Sequence, residues 1–254
     1  MFPDFTQFGM TYPTYNIIGL AALVIGAAVA ALRIKRYGLK DIDIILSAVF
    51  AGVGLFVGGT ILFALVQTPQ LTQHWEHFAG NFLLILRFLF GGLVFYGGLF
   101  GAILGLWVYS KAFKRNFGDI LRMAVPVIPL THAIMRFGCF AAGCCHGVPH
   151  DILGIAFTRS VVAANGIPFL PVPLYEAAMN FGIFIVIWQF SKKERKPLHL
   201  LCLYAIPYAV GRFALEFLRG DTVRGMVFAM STSQFISVLI ILTCVVLLII
   251  DSRN

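Results

Sequence analysis

The sequence predicts an all-α membrane protein, a single polytopic domain over residues 1–254 with about seven transmembrane helices. Three observations carry that expectation. Hydrophobic residues make up 59% of the chain and charged ones only 12%, with a mean hydropathy of +0.89, so lipid must cover much of the apolar surface. Seven runs reach the roughly 20 apolar residues that about 30 Å of hydrocarbon requires. Clusters of cations alternate between those runs.

The runs are 15–32, 44–66, 82–109, 123–140, 174–190, 198–217 and 227–250. No basic segment precedes the first, which is long enough to stay as a span and not be cleaved as a signal. Arg33, Lys35, Arg36 and Lys40 follow it; Lys111, Lys114, Arg115 and Arg122 follow the third; Lys192, Lys193, Arg195 and Lys196 follow the fifth; Arg253 closes the seventh. Residues 67–81 have no Lys or Arg, and residues 144–173 have only Arg159. Basic loops stay in the cytoplasm, so the N-terminus is expected outside and the C-terminus cytoplasmic. The net charge of +8 belongs to these loops and to anionic lipid, not to nucleic acid.

The third run carries Gly91-Gly92, Gly97-Gly98, Gly101 and Gly105, a spacing that lets helix backbones approach closely. Gly97-Gly98, beside Tyr96, either packs in this way or leaves room for a ligand. Neither half of the chain repeats the other, which speaks against a transporter built from inverted repeats.

An ionisable side chain inside the membrane is a functional candidate, and Arg87, Arg136, Arg212 and Glu216 are such positions. Arg87 is close enough to a span end to snorkel toward headgroups. Arg212 and Glu216 stand four apart on one helical face and can neutralise each other. Arg136 has no acid within a turn and needs a partner from elsewhere, an anionic ligand being one. Both Arg136 and Arg212 approach the outer leaflet, where a phospholipid headgroup is the available anion. A guanidinium suits phosphate because its planar fork donates two parallel hydrogen bonds and keeps its charge when buried. Arg219, Asp221 and Arg224 gather toward the same face. Pro171-Val172-Pro173-Leu174-Tyr175-Glu176 opens the fifth run, where Tyr175 can anchor at the interface and Glu176 either caps the helix or contacts a ligand.

Cys139, Cys144, Cys145 and His146 crowd a stretch of eight residues that begins three after Arg136, whereas Cys202 and Cys244 lie inside spans. A small-residue turn, a disulfide, a nucleophilic thiolate and a base at His146 all remain open for the cluster. A metal is not expected, since adjacent Cys-Cys-His residues do not readily turn toward one tetrahedral ion. His132, one turn before Arg136, reads as an interior histidine; His74, His77, His150 and His199 lie in loops or at span ends.

Taken in order, these residues resemble the bacterial prolipoprotein diacylglyceryl transferases, and more closely their cysteine-bearing relatives, over nearly the whole chain. Tyr15 and Gly19 open the first span as in the family. Tyr96-Gly97-Gly98-Leu99 resembles its His-Gly-Gly-Leu element, and Pro126 stands ten residues before Arg136. Arg136-Phe137-Gly138-Cys139-Phe140 and Gly143 look like its Arg-x-Gly-Asn-Phe-x-Asn-Gly signature. Pro171, Leu174, Tyr175 and Glu176 fall on its Pro-Ser-Gln-Leu-Tyr-Glu element. Tyr208, Arg212, Glu216, Phe217 and Arg219 match its Tyr, Arg, Glu-Phe, Arg helix, and Ser233-Gln234 with Ser237 resembles its final span.

The resemblance implies an enzyme of the bacterial plasma membrane that moves a diacylglyceryl group from phosphatidylglycerol to the lipobox cysteine thiol of a secreted prolipoprotein. It implies no metal or other cofactor. Arg136 and Arg212 would hold the phosphate, with Tyr96 and His146 completing the catalytic set. Gly97, Gly98, Cys139, Gly143, Tyr175, Glu176, Glu216 and Arg219 would line the substrate site. The chain departs from the family at Tyr96, where a histidine is usual; a phenol with a pKa of about 10 is a poor base at neutral pH but can orient a headgroup. Cys139 and Ala142 replace asparagines, Cys144 a glutamate, and Val148 an arginine. A related transferase with a non-protein acceptor is therefore an alternative. A lipid transporter is a weaker one, since the charges favour one face.

Overall fold

Proline and glycine set several helix boundaries, among them Pro126 and Gly143 around the helix Val127–Ala142 and Pro197 at the start of the helix Pro197–Glu216. The computed structural model describes residues 4–7, 10–73, 75–160, 162–220, 226–227 and 230–253; His74, Asp221 and Arg224 lie outside them. A hairpin of β1 (Asp4–Gln7) and β2 (Met10–Pro13) precedes α1 (Thr14–Ile34). Then come α2 (Asp41–Gln73), α3 (Trp75–Phe78), α4 (Phe82–Leu89), α5 (Phe95–Ala112), α6 (Phe117–Ala124) and α7 (Val127–Ala142). The loop after α7 holds β3 (Ile155–Ala156) paired with β4 (Pro168–Phe169). α8 (Val172–Phe190) and α9 (Pro197–Glu216) follow, then the hairpin β5 (Met226–Val227) and β6 (Met230–Ser231), then α10 (Thr232–Arg253). α9 starts on Pro197 and α8 carries Pro173 as its second residue, and proline is pre-set for a first turn and has no amide to leave unpaired.

Among the described residues, six helices are long and apolar enough to cross a membrane: Thr14–Tyr37, Asp41–Gln73, Phe117–Ala142, Val172–Phe190, Pro197–Glu216 and Thr232–Arg253. They carry large apolar residues on the outside, among them Leu20, Leu23, Phe56, Leu65 and Leu242, as lipid-facing helices do. The run expected as a third span, 82–109, is split into α4 and α5 around Gly91-Gly92. Among the broken backbone groups, the Val94 amide donates to the Gly59 carbonyl at 3.1 Å, so non-helical chain is satisfied by protein.

The chain forms two units, residues 34–121 and residues 1–33 with 122–254. In the first, α2 and α5 meet through Gly54 and Gly58 on one side and Gly97, Gly101 and Gly105 on the other. A Cβ on Gly101 would strike the Gly54 carbonyl. Gly101→Leu is expected to remove most folded protein, costing more than the roughly 1–3 kcal/mol of ordinary overpacking because the obstacle is backbone. Detergent yield and melting temperature equal to wild type would contradict this. At the start of α2, Asp43 accepts from the Tyr109 hydroxyl at 2.5 Å, from Arg115 Nε at 2.9 Å and from its own helix cap at Lys40 N at 2.7 Å.

In the second unit α8 packs on α7 and α9, and α10 on α9. Gly19 and Gly26 of α1 lie against Met135 and Thr131 of α7. Because successive helices reverse direction, the ends of α7 and α9 and the starts of α8 and α10 share one end of this unit. The other end holds basic anchors. Arg33 Nη2 donates to the Ser191 carbonyl at 3.3 Å, Arg122 Nε to that of Arg195 at 2.9 Å, and Lys196 pairs with Asp251 at 2.9 Å.

Candidate active site

The end of the second unit remote from those anchors gathers the buried charges. Arg136 sits six residues before the end of α7, about 9 Å below it at helical rise. Arg212 sits four residues before the end of α9, about 6 Å below it at helical rise, and Glu176 lies in the first turns of α8, fully buried. Glu176 is the hub. It pairs with Arg136 Nε through Oε2 and, through Oε1, accepts from Arg212 Nη1 at 3.2 Å and Arg219 Nη1 at 3.5 Å. Its backbone carbonyl accepts from Asn180 Nδ2 at 2.8 Å, which stiffens this turn of α8.

Arg212 also pairs with Glu216 at 2.7 Å and donates from Nη2 to the Ser233 hydroxyl, at the start of α10, at 3.1 Å. Glu216 thus holds Arg212 as the spacing predicts, but a second acid shares the load. The side chains of Arg212 and Arg219 are only 5% and 3% exposed, and that of Arg136 13%. Within this described group three guanidiniums gather on two carboxylates, Glu176 and Glu216, in a low dielectric. The partner that Arg136 lacks on its own helix is Glu176, so Glu176 is neither a simple cap nor an isolated ligand contact. Tyr175, beside it, is half-buried.

The other expected residues divide. His132 is buried with its ring 5.1 Å from that of Tyr208, as an interior histidine would be. Arg87 is exposed on α4, in keeping with snorkelling. Tyr96 is buried in the other unit, on α5. Of the two alternatives at Gly97 and Gly98, close packing is the one observed, against α2: a Cβ on Gly97 would meet the Gly58 carbonyl and Leu62, and one on Gly98 would meet Leu55. Gly143 caps α7 in the left-handed region, at φ 71°, with Ser160 packed against it.

That cap shapes the cysteine cluster. The Gly143 amide donates to the Phe140 carbonyl and the Cys144 amide to that of Cys139, a Schellman closure that turns the chain back over the helix. Cys145 also takes a positive φ, 59°, which a residue with a Cβ adopts only at a cost of about 1–3 kcal/mol. The result brings the sulfurs of Cys139, Cys144 and Cys145 within 4.8 Å of one another. Adjacent cysteines were not expected to converge; the reversal of the backbone makes them do so. Arg136 Nη1 donates to Cys139 Sγ at 3.7 Å, so the cluster abuts the arginines. Hydrogen bonds from Cys139 and Cys144, and then the nearby Arg219 and Arg136, push the Cys145 thiol well below the usual range; the same thiol contacts push Cys144 above it.

His146 turns away, its ring 4.2 Å from that of Phe169 and its Nδ1 bonded to the Gly147 carbonyl at 2.9 Å. A carbonyl can only accept, so Nδ1 carries the proton and Nε2 is the basic nitrogen. The following residues are strapped to the end of α9. The Val148 amide donates to Leu218 and the Gly220 amide to His146, which fixes the cysteine turn beside Arg219.

A family model described as prolipoprotein diacylglyceryl transferase matches residues 3–250. The chain is 35% identical to the phosphatidylglycerol--prolipoprotein diacylglyceryl transferase of Clostridium tetani (strain Massachusetts / E88), over 97% of this chain and 96% of that one. It is 33% identical to the protein of that name from Clostridioides difficile (strain 630), over 86% and 83%. It is 28% identical to the second such transferase of Clostridium perfringens (strain 13 / Type A), over 92% and 89%.

Proposed function

The chain belongs to the prolipoprotein diacylglyceryl transferase family, and from that premise we propose that it transfers a diacylglyceryl group from phosphatidylglycerol to the lipobox cysteine of a prolipoprotein. The observation that carries this reading is the buried cluster of three guanidiniums, Arg136, Arg212 and Arg219, gathered around Glu176 and Glu216. A phosphodiester bears one negative charge and offers the oxygens that guanidinium forks bind. Arg136 and Arg212 hold the phosphate; Glu176, Glu216 and Arg219 set their geometry. As the carbon–oxygen bond to phosphate breaks, a further negative charge develops on the departing glycerol phosphate, and fixed guanidiniums stabilise it without reorganising. Tyr175, Cys139 and Gly143 border this site. The acceptor side falls to the segment from Cys139 to His146.

The site lies in the outer half of a bacterial plasma membrane, with the N-terminus outside and the C-terminus in the cytoplasm, supported by the basic anchors at the opposite end of the helices. A C-terminal reporter that folds only in the cytoplasm is expected to be active; activity only when exported would reverse the orientation. Purified protein given labelled phosphatidylglycerol and a lipobox peptide is expected to yield S-diacylglyceryl peptide. Lipid products formed without peptide, and no lipidated peptide, would replace the acceptor by a small thiol, an alcohol or another lipid.

A further inference from the structure

We infer that Cys139, Cys144 and Cys145 form a three-thiolate site for a zinc ion whose fourth position is open to the acceptor thiol. The role in the reaction rests on the function proposed above; the ion's binding does not.

The argument is geometric first. Three sulfurs, Cys139 from the end of α7 and Cys144 and Cys145 from its return turn, lie within 4.8 Å of one another. Zinc–thiolate bonds of about 2.3 Å place tetrahedral sulfurs about 3.8 Å apart, so closing on an ion requires only small rotations of side chains. The turn that gathers them is held by the Schellman bonds, and its backbone keeps Cys145 at a positive φ, a conformation that a plain connecting turn would assign to glycine. All five cysteines are unpaired, so no disulfide uses these sulfurs.

Charge comes second. Zinc with three thiolates carries one negative charge, and Arg136 donates to Cys139 Sγ at 3.7 Å, a charge-assisted contact of the kind that steadies a metal-bound sulfur. His146, the nearest imidazole in sequence, is engaged with Gly147 and Phe169. Three protein ligands with a vacant fourth position is the pattern of a catalytic zinc, whereas structural sites close with four.

The chemistry matches what the proposed reaction needs. Thiolates are the nucleophilic form of cysteine, and metal coordination generates them at neutral pH. The acceptor cysteine binds zinc through sulfur and releases its proton to water. Its sulfur lone pair then attacks the glyceryl carbon that bears the phosphate. The sulfur–carbon bond forms as the carbon–oxygen bond breaks, and that bond's electron pair leaves with the phosphate oxygen of glycerol phosphate. The product is a thioether, a weak ligand, so it leaves the ion. No electrons are gained or lost by the metal. Because Arg136 touches both the sulfur cluster and Glu176, acceptor sulfur and donor phosphate meet across one guanidinium.

Cobalt(II), a spectroscopic substitute for zinc, tests this on the purified full-length protein in nanodiscs. One ion per chain is expected, with a near-ultraviolet sulfur-to-cobalt charge-transfer band. Cys139→Ser, Cys144→Ser and Cys145→Ser should each weaken binding by more than about a hundredfold, while Cys202→Ser and Cys244→Ser should not. No band in the wild type, or a band that survives in the triple serine variant, overturns the site. A measurement independent of variant folding is zinc protection: zinc should shield these three thiols of the wild type from maleimide. Equal labelling with and without zinc, or a disulfide among the three in the purified protein, overturns it as well. Adding lipobox peptide to the cobalt protein should intensify the band as a fourth sulfur binds. An unchanged band overturns the role in activating the acceptor and leaves the metal site standing. Cobalt binding and the peptide response in a protein that transfers no lipid would instead count against the proposed reaction alone.

Discussion

Arg136→Ala and Arg212→Ala are each expected to lower diacylglyceryl transfer by at least about a hundredfold, the usual loss when one preorganised donor to a developing anion is removed. The two should differ in what else they change. Arg136 is held by Glu176 and Cys139, so its removal frees one carboxylate oxygen and disturbs the sulfur cluster. Arg212 is held by Glu176, Glu216 and Ser233, so its loss leaves Glu216 without this partner and should also lower stability. Arg→Lys at either position should restore little activity, since an ammonium keeps the charge but not the two-point fork. Initial rates at saturating phosphatidylglycerol would check this; alanine variants within about threefold of wild type would remove the arginines from the chemistry.

Glu176→Gln is expected to lower stability sharply. The substitution keeps shape and removes one charge, leaving three buried guanidiniums against Glu216 alone among the described acids. Breaking a buried pair from one side costs about 3 to 5 kcal/mol because the remaining charge stays uncompensated. Here the carboxylate is fully buried and serves three partners, so the upper part of that range applies. Thermal unfolding in detergent should show a clear drop in Tm. Added phosphatidylglycerol should recover part of it, because the lipid's phosphate supplies the missing negative charge to the same arginines. An unchanged Tm would mean that the ion pairs are not held in solution as they are in the structure.

Much of this was legible in the sequence, and the illegible part has physical reasons. Arg136, Arg212 and Glu216 stood out because charge in an apolar run is costly wherever it points. Glu176 as the hub could not be read. Sequence spacing reveals partners one helical turn apart, and Glu176 is 36 residues from Arg212 and 43 from Arg219. The break between α4 and α5 was hidden because residues 82–109 are apolar throughout, and hydropathy does not register a turn whose amide is satisfied by α2. Gly91-Gly92 was the available hint. The convergence of the cysteines was missed because adjacent side chains on regular backbone diverge, whereas Gly143 and Cys145 both leave the regular regions. A glycine directly after a helix was the signal for that reversal.

The central claim is that the buried arginines form a binding site for one phospholipid phosphate. Native mass spectrometry of the protein released from bilayers of mixed phosphatidylglycerol and phosphatidylethanolamine tests it most directly. The wild type is expected to retain one phosphatidylglycerol, and the Arg136→Ala/Arg212→Ala double variant to lose it while remaining folded. Equal retention of phosphatidylglycerol by both proteins would contradict the claim.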